Sequence, residues 1–253
     1  MLALSELKRI ALKEGVPQAI VEKDYALSVA LKAFAQSQAA ASLVFKGGTA
    51  IRKIYFENAR FSEDIDFNVI GLGKDECLKL LKETLEGRQI DGVGFGNVLE
   101  ERSQEGLKAA IKYTGPLAHA QRIRFDFNFR SNFAGKPQNR QLLDTYGIGS
   151  AQMQVLGIEE LFAEKIHALC CRIAPRDLYD AWFFLKSGIS KDPILIEKKF
   201  AYYDEKYDIE TLEGKIESFR EDWVHDLRQL LRKVPDFDLV ADETLKMLKE
   251  RQK

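Results

Sequence analysis

The 253-residue chain is 45% hydrophobic and 30% charged, with a net charge of −1, the composition of an ordinary soluble globular protein long enough for one large domain or two small ones. No apolar run reaches the roughly 18 residues of a membrane span, and the start, Met1-Leu2-Ala3-Leu4-Ser5-Glu6, lacks the basic region, apolar segment and cleavage site of a secretory signal. The near-zero charge gives no global attraction to nucleic acid, so any RNA contact requires a local basic cluster. Cys77, Cys170 and Cys171 show no Cys-x-x-Cys spacing, which indicates neither zinc nor a disulfide framework and fits a reducing cytoplasm.

Ser5 to Glu14 and Pro17 to about Ala40 read as helices, with Gly15 ending the first and Pro17 suited to the first turn of the second. Val44-Phe45 begins a strand. It runs into Gly47-Gly48-Thr49 and a short helix, and a glycine-rich turn opening a helix offers backbone N–H groups to a phosphate. The next strand carries Asp64-Ile65-Asp66-Phe67. Strand periodicity puts Asp64 and Asp66 on one face and Ile65 and Phe67 on the other. Two such charges ~4 Å apart repel by roughly 4 kcal/mol at an effective dielectric near 20, so they need a counter-charge. Magnesium, an oxygen-seeking ion often shared between carboxylates and substrate phosphates, is the usual one. The alternative is a solvated polar face on an edge strand.

Lys74 to Glu86 forms a helix with Cys77, Leu78, Leu81 and Leu85 as its apolar stripe. Gly87 to Gly96 reads as a glycine-punctuated link, followed by strands near Val98–Glu101, Leu107–Tyr113 and Gln121–Phe129. The last of these alternates strictly, placing Asp126 on the polar face between Arg124 and Asn128. Asp126 is either a further functional acid or one satisfied by its basic neighbours. From Gly157 the pattern is helical to the end. On the helix from Ile158 to about Arg172, Lys165 falls within the stripe Ile158, Leu161, Phe162, Ile166 and Leu169. Its stem either snorkels at the core's edge or delivers an ammonium to a phosphate. Pro175-Arg176-Asp177-Leu178-Tyr179-Asp180 opens a largely buried helix, and its charges either cap the helix and pair with one another or belong to a site. The final helices expected include Glu197–Tyr203, Thr211–Phe219 and Glu243–Arg251.

The order strand, Gly-Gly-Thr, helix, Asp-x-Asp strand resembles the nucleotidyltransferase fold of the DNA polymerase beta superfamily. The wording KGGTAIRKIYFENARFSEDIDF over 46–67 is similar to that of the AbiEii/AbiGii nucleotidyltransferase toxins of abortive-infection and toxin–antitoxin systems. The resemblance implies an α+β chain: a polymerase-beta-like core of mixed β-sheet with helices over 1–155, then a C-terminal helical bundle over 156–253 that completes the active site. It implies that Asp64, Asp66 and Asp126 hold Mg2+ or Mn2+, with Asp126 as general base or as the ligand that positions one metal, and that Gly47, Gly48 and Thr49 cradle phosphate. Glu160 to Leu169 is similar to the family's third motif, making Lys165 the nucleotide-phosphate contact. Arg176 to Asp180 matches the fourth, with Asp177 the first choice of active-site acid, Asp180 the second, and Arg176 holding phosphate or locking the helical motifs.

The implied reaction transfers NMP from NTP to a hydroxyl with release of pyrophosphate. The implied acceptor is the end of tRNA, and the implied partner is an antitoxin encoded nearby. Nucleotidylation of a protein or small molecule, and a silent nucleotide-binding role, use the same residues. Arg52, Lys53, Arg60, Arg122, Arg124 and Arg130 are the candidate RNA contacts. A cytoplasmic protein without membrane association is expected.

Overall fold

The computed structural model of the protein describes residues 1–102, 106–130 and 132–250. They form two compact units, Met1–Ser131 with Pro137–Leu156, and Asn132–Lys136 with Gly157–Lys253. Among the described residues no helix is long and apolar enough to cross a membrane.

The first unit opens with α1 (Leu4–Glu14) and α2 (Gln18–Ala35). Gly15 ends α1 in the left-handed conformation, φ 65°, a position glycine adopts without steric penalty. Then come β1 (Leu43–Lys46), α3 (Gly47–Ala50) continuing into a π-helical turn (Ile51–Tyr55), β2 (Asp64–Val69) and α4 (Lys74–Leu85). The remaining strands are β3 (Gln89–Ile90), β4 (Val93–Arg102), β5 (Gly106–Thr114), β6 (Ala120–Asn128), β7 (Gln138–Gln141) and β8 (Gln152–Val155). All eight join in one mixed sheet of order β3-β4-β5-β6-β2-β1-β8-β7, in which β2 pairs β6 and β1 pairs β8 in parallel while the other neighbours are antiparallel.

Two parts of this sheet differ from the sequence expectation. The stretch read as a link, Gly87 to Gly96, contains β3, a tight turn and the start of β4. Asp91 and Gly92 turn there with φ 45° and 80°, an Asp-Gly hairpin in the sense that matches strand twist. Gly94 and Gly96 sit inside β4 beside a register irregularity between Phe95 and Val98, as glycines at bulges do. Strands β7 and β8 were not expected. The exposed edge strand β7 reads Gln-Asn-Arg-Gln, with no apolar alternation to mark it.

One sheet face makes the core. Phe34 of α2 lies 5.6 Å, centroid to centroid, from both Phe67 of β2 and Phe125 of β6. Phe67 lies 5.8 Å from Phe45 of β1 and from Phe127 of β6. Each of these rings is fully buried. At about 1.5–3 kcal/mol for each large apolar side chain, and with a one-residue slip turning every side chain over, this cluster fixes the register of β1, β2 and β6.

The second unit is helical: α5 (Ile158–Cys171), α6 (Pro175–Lys186), α7 (Pro193–Ala201), α8 (Ile209–Lys215) with a 3-10 turn to Phe219, α9 (Arg220–Leu227) and α10 (Phe237–Lys249). Its core includes Leu161, Phe162, Ile166 and Leu169 of α5 and Phe184 of α6, with the Phe162 and Phe184 rings 5.3 Å apart. Helix α9 falls within the stretch expected to be helical, though without bounds of its own, and α7 and α10 begin upstream of their expected starts. Asp192 and Asp236 supply their N-caps. Arg251 lies outside the described residues.

Candidate active site

Because the apolar residues of β2 and β6 turn to the core, the alternate residues turn to the opposite face. Asp66 registers with Asp126 across the parallel β2–β6 pair, and Asp64 registers with Arg124. The same row extends in both directions, since Lys46 of β1 opposes Asp66 and Lys108 of β5 opposes Asp126. The sheet therefore carries a row Lys46–Asp66–Asp126–Lys108, two acids flanked by two cations. Asp64, Asp66, Lys108, Arg124 and Asp126 line a cleft of about 140 Å³. Across it Lys108 Nζ lies 3.9 Å from Asp126 Oδ2, with the two side chains 57% and 42% exposed. Such solvated pairs contribute about 0–1 kcal/mol, so this one yields readily to a ligand.

The glycine turn is built around Asp66. Gly47 has φ +76°, and a Cβ there would stand 2.0 Å from Asp66 Oδ2. Gly47 is thus required twice, by backbone conformation and by the approach of the carboxylate. A Cβ on Gly48 would meet Arg60 Nη2 at 3.0 Å and Ser62 Oγ at 3.1 Å. Thr49 is buried, and its hydroxyl donates to the Asp64 backbone carbonyl. That hydroxyl is committed to fastening α3 to the acid-bearing strand.

Three basic residues expected to reach RNA do not face solvent. Lys53 Nζ donates to Asp24 Oδ2 of α2 at 2.6 Å and is 1% exposed. Arg52 lies 3.3 Å from Asp24 Oδ1, donates to the Glu57 and Ala59 carbonyls, and stacks 3.7 Å over the Phe61 ring. Arg60 is buried and donates to the Phe61 carbonyl. Burial alone would raise the Asp24 carboxyl, but Lys53, Arg52 and the Tyr146 hydroxyl together hold it below the usual range. Lys53 and Arg52 brace α2 against the helix that follows the glycine turn. By contrast Arg122 and Arg124 are exposed, Arg130 is half-buried, and Lys112, exposed on β5, registers with Arg122. Lys108 and Lys112 were missed in the sequence. Their signal was the alternation of β5, legible only once β5 is paired with β6.

In the second unit Lys165 meets two acids at once. Its Nζ lies 2.8 Å from Asp177 Oδ1 and 2.8 Å from Asp180 Oδ2, and the two acids' side chains are 3% and 4% exposed. Arg172 also clamps Asp177, at 2.7 Å. Burial opposes ionisation of Asp177, but Lys165 and Arg172 outweigh it and hold its carboxyl below the usual carboxylate range. Arg176 is half-buried at the start of α6. Within its own unit, the lysine inside the apolar stripe thus pairs with two buried acids. Glu160, also on α5, accepts from the Ala134 and Gly135 amides at 2.8 and 2.9 Å and pairs with Lys199 at 2.7 Å.

No curated protein matches the sequence. Among solved structures the chain is similar to MenT4, a nucleotidyltransferase toxin from Mycobacterium tuberculosis H37Rv, with a TM-score of 0.74 at 22% identity over 98% of this chain and 89% of that one. At that identity the likeness establishes the fold, an α+β nucleotidyltransferase toxin fold with the sheet and C-terminal helices described above. The sequence itself matches, over residues 29–243, the family described as nucleotidyl transferase AbiEii toxin, type IV toxin–antitoxin system. With the family spanning most of the chain, the acid-lined cleft and its glycine turn belong to a member of the AbiEii family, a nucleotidyltransferase toxin.

Proposed function

We propose that this toxin transfers a nucleoside monophosphate from an NTP to a hydroxyl at the acceptor end of tRNA in the cytoplasm, that Asp64, Asp66 and Asp126 hold Mg2+ or Mn2+ for the reaction, and that a nearby gene encodes its antitoxin. The observation that carries the reading is the β2–β6 register, which sets Asp66 beside Asp126 with Asp64 on the same face of the cleft. Three carboxylates around one cleft are hard oxygen donors of the kind that suit Mg2+. Metal bound there would stabilise charge on the attacking and leaving oxygens.

The chain's own groups supply the rest. Asp126 accepts the proton of the acceptor hydroxyl as its oxygen bonds to the α-phosphorus and the bond to pyrophosphate breaks. Gly47 and Gly48 offer backbone N–H groups to phosphate, and Thr49 fixes the turn to the Asp64 strand. We assign Lys165 and Arg176 to the nucleotide phosphates, with Asp177 and Asp180 holding Lys165 in place. Family membership supports this assignment, and the ion pairs fix where the Lys165 ammonium sits. For the acceptor, the support is charge: Lys108, Lys112, Arg122 and Arg124 are exposed on one face of β5 and β6, a local basic patch on a chain of net charge −1, suited to a polyanion.

The test is incubation with each labelled NTP, Mg2+ or Mn2+, and tRNA, total protein or small solutes. Label is expected on tRNA and is expected to vanish in Asp64→Ala and Asp66→Ala. Activity surviving both substitutions removes the metal-site assignment, and label entering protein or small solutes instead removes the tRNA assignment. Arg122→Glu with Lys112→Glu should weaken tRNA binding and flatten its salt dependence; an unchanged slope removes the basic patch.

A further inference from the structure

A second cluster of donor atoms lies on the helical unit, with different chemistry. His167 and Cys171 stand one turn apart on the same face of α5, and Glu205 comes from the turn after α7. His167 Nε2 lies 2.9 Å from Glu205 Oε2 and 3.3 Å from Cys171 Sγ, and Sγ lies 3.1 Å from the same Glu205 oxygen. All three donor atoms fall within 4.8 Å of one another, with His167 half-buried and the other two exposed.

We propose that His167, Cys171 and Glu205 form a zinc-binding site. The arrangement does not suit a nucleophilic triad, in which the thiol and the acid engage opposite ring nitrogens. Here both converge on Nε2, the pattern expected when one ion sits at the centre of the three. Zn–S and Zn–N/O bonds of about 2.3 and 2.0–2.2 Å in a tetrahedron separate ligand atoms by roughly 3.3–3.7 Å, so the observed 2.9–3.3 Å triangle needs to open by only a few tenths of an ångström. Thiolate, imidazole and carboxylate together favour zinc over magnesium, which separates this site from the all-oxygen cleft. The fourth position falls to water.

The donors are held before any ion arrives. The His167 ring stacks on Tyr203 at 4.6 Å and meets Phe200 edge-on at 4.9 Å. Backbone bonds from Tyr203 and Glu205 to the Phe200 carbonyl, 2.9 and 3.1 Å, shape the turn, with Asp204 at φ 57°. Zinc replaces the Cys171 S–H proton, which passes to solvent, and ties α5 to the turn after α7.

The experiment uses the full-length protein freed of metal by chelation, with Co2+ as an optical reporter and Zn2+ as competitor. One Co2+ per chain should give a thiolate-to-cobalt charge-transfer band that Zn2+ abolishes. The band should be missing in Cys171→Ser, weakened in His167→Ala and Glu205→Gln, and intact in Cys170→Ser. A band that persists in Cys171→Ser, or none at micromolar cobalt, overturns the proposal. A second readout needs no variant: Zn2+ should slow alkylation of Cys171, followed by peptide mapping, by about tenfold or more. An unchanged rate overturns the site even if a substituted chain fails to fold.

Discussion

Two pairs of neighbouring aspartates in this protein, Asp64 with Asp66 and Asp177 with Asp180, sit in different surroundings. Asp64 and Asp66 are spaced by two on a strand, Asp177 and Asp180 by three on a helix, so each spacing matches its element's period and puts both acids on one side. The helical pair is buried and meets cations of its own unit, Lys165 at 2.8 Å from each acid and Arg172 at 2.7 Å from Asp177. The strand pair, with Asp126, faces a cleft of about 140 Å³. The helical acids are closed in by protein cations, whereas the strand acids also border open space that a cation from solution can enter. That difference, not the presence of acids, is why the proposed chemistry is placed on the strand pair.

The largest expected effect tests the open pair. Asp66→Asn keeps the shape and removes the charge, and under the proposed metal role it should lower transfer activity by roughly 10⁴-fold, ~5 kcal/mol in transition-state terms, while the melting temperature stays close to wild type. A large loss of stability in this variant would mean that Asp66 is architectural too. The complementary change, Asp177→Ala, leaves Lys165 with Asp180 as its remaining acid here and takes the buried carboxylate from the exposed Arg172. Removing one partner of a buried ion pair costs about 3–5 kcal/mol when the other charge is left uncompensated; with Asp180 still beside Lys165 this is the upper bound, to be read from urea unfolding. Wild-type stability would break the contrast between the two pairs.

A smaller effect is expected at the turn that joins fold to chemistry. Gly47→Ala puts a side chain at φ +76° and drives a Cβ into the Asp66 carboxylate. The left-handed backbone costs a non-glycine residue about 1–3 kcal/mol, and the displaced Asp66 should lower activity beyond what that destabilisation explains. Activity falling only in step with stability would show that the glycine serves the backbone alone.

What the sequence made legible follows the range of the interactions involved. The acid face of β2 and β6 shows in strict local alternation, and each strand's apolar residues name the core face by themselves. Lys53 looked like a surface cation because its partner, Asp24, lies on α2, 29 residues upstream in the chain, beyond any local pattern. Lys108 acquires meaning only through the β5–β6 register. Strand β7 stayed hidden because an exposed edge strand needs no apolar alternation. Lys165 was noticed for the right reason, a cation within an apolar stripe, but periodicity could not show that two acids from the next helix would meet it.

The smallest effect is a pH dependence that separates charge from shape in the closed pair. The Asp177 carboxyl is held below the usual carboxylate range in the folded chain, because Lys165 and Arg172 favour the ionised form more than burial opposes it. A depressed acid pKa means that the unfolded chain binds the proton first as pH falls. Its contribution is therefore fully present above the unfolded value near 4 and is lost as pH drops through the lower folded value. Many carboxylates titrate in that range, so the wild-type curve alone does not isolate Asp177. The difference between wild type and Asp177→Asn does: the variant should be less stable at neutral pH, and the gap should narrow below about pH 4. A gap constant from neutral pH into acid would show that the ion pairs with Lys165 and Arg172 add nothing beyond hydrogen bonds that an amide can keep, and the closed pair would then differ from the open one in burial but not in electrostatics.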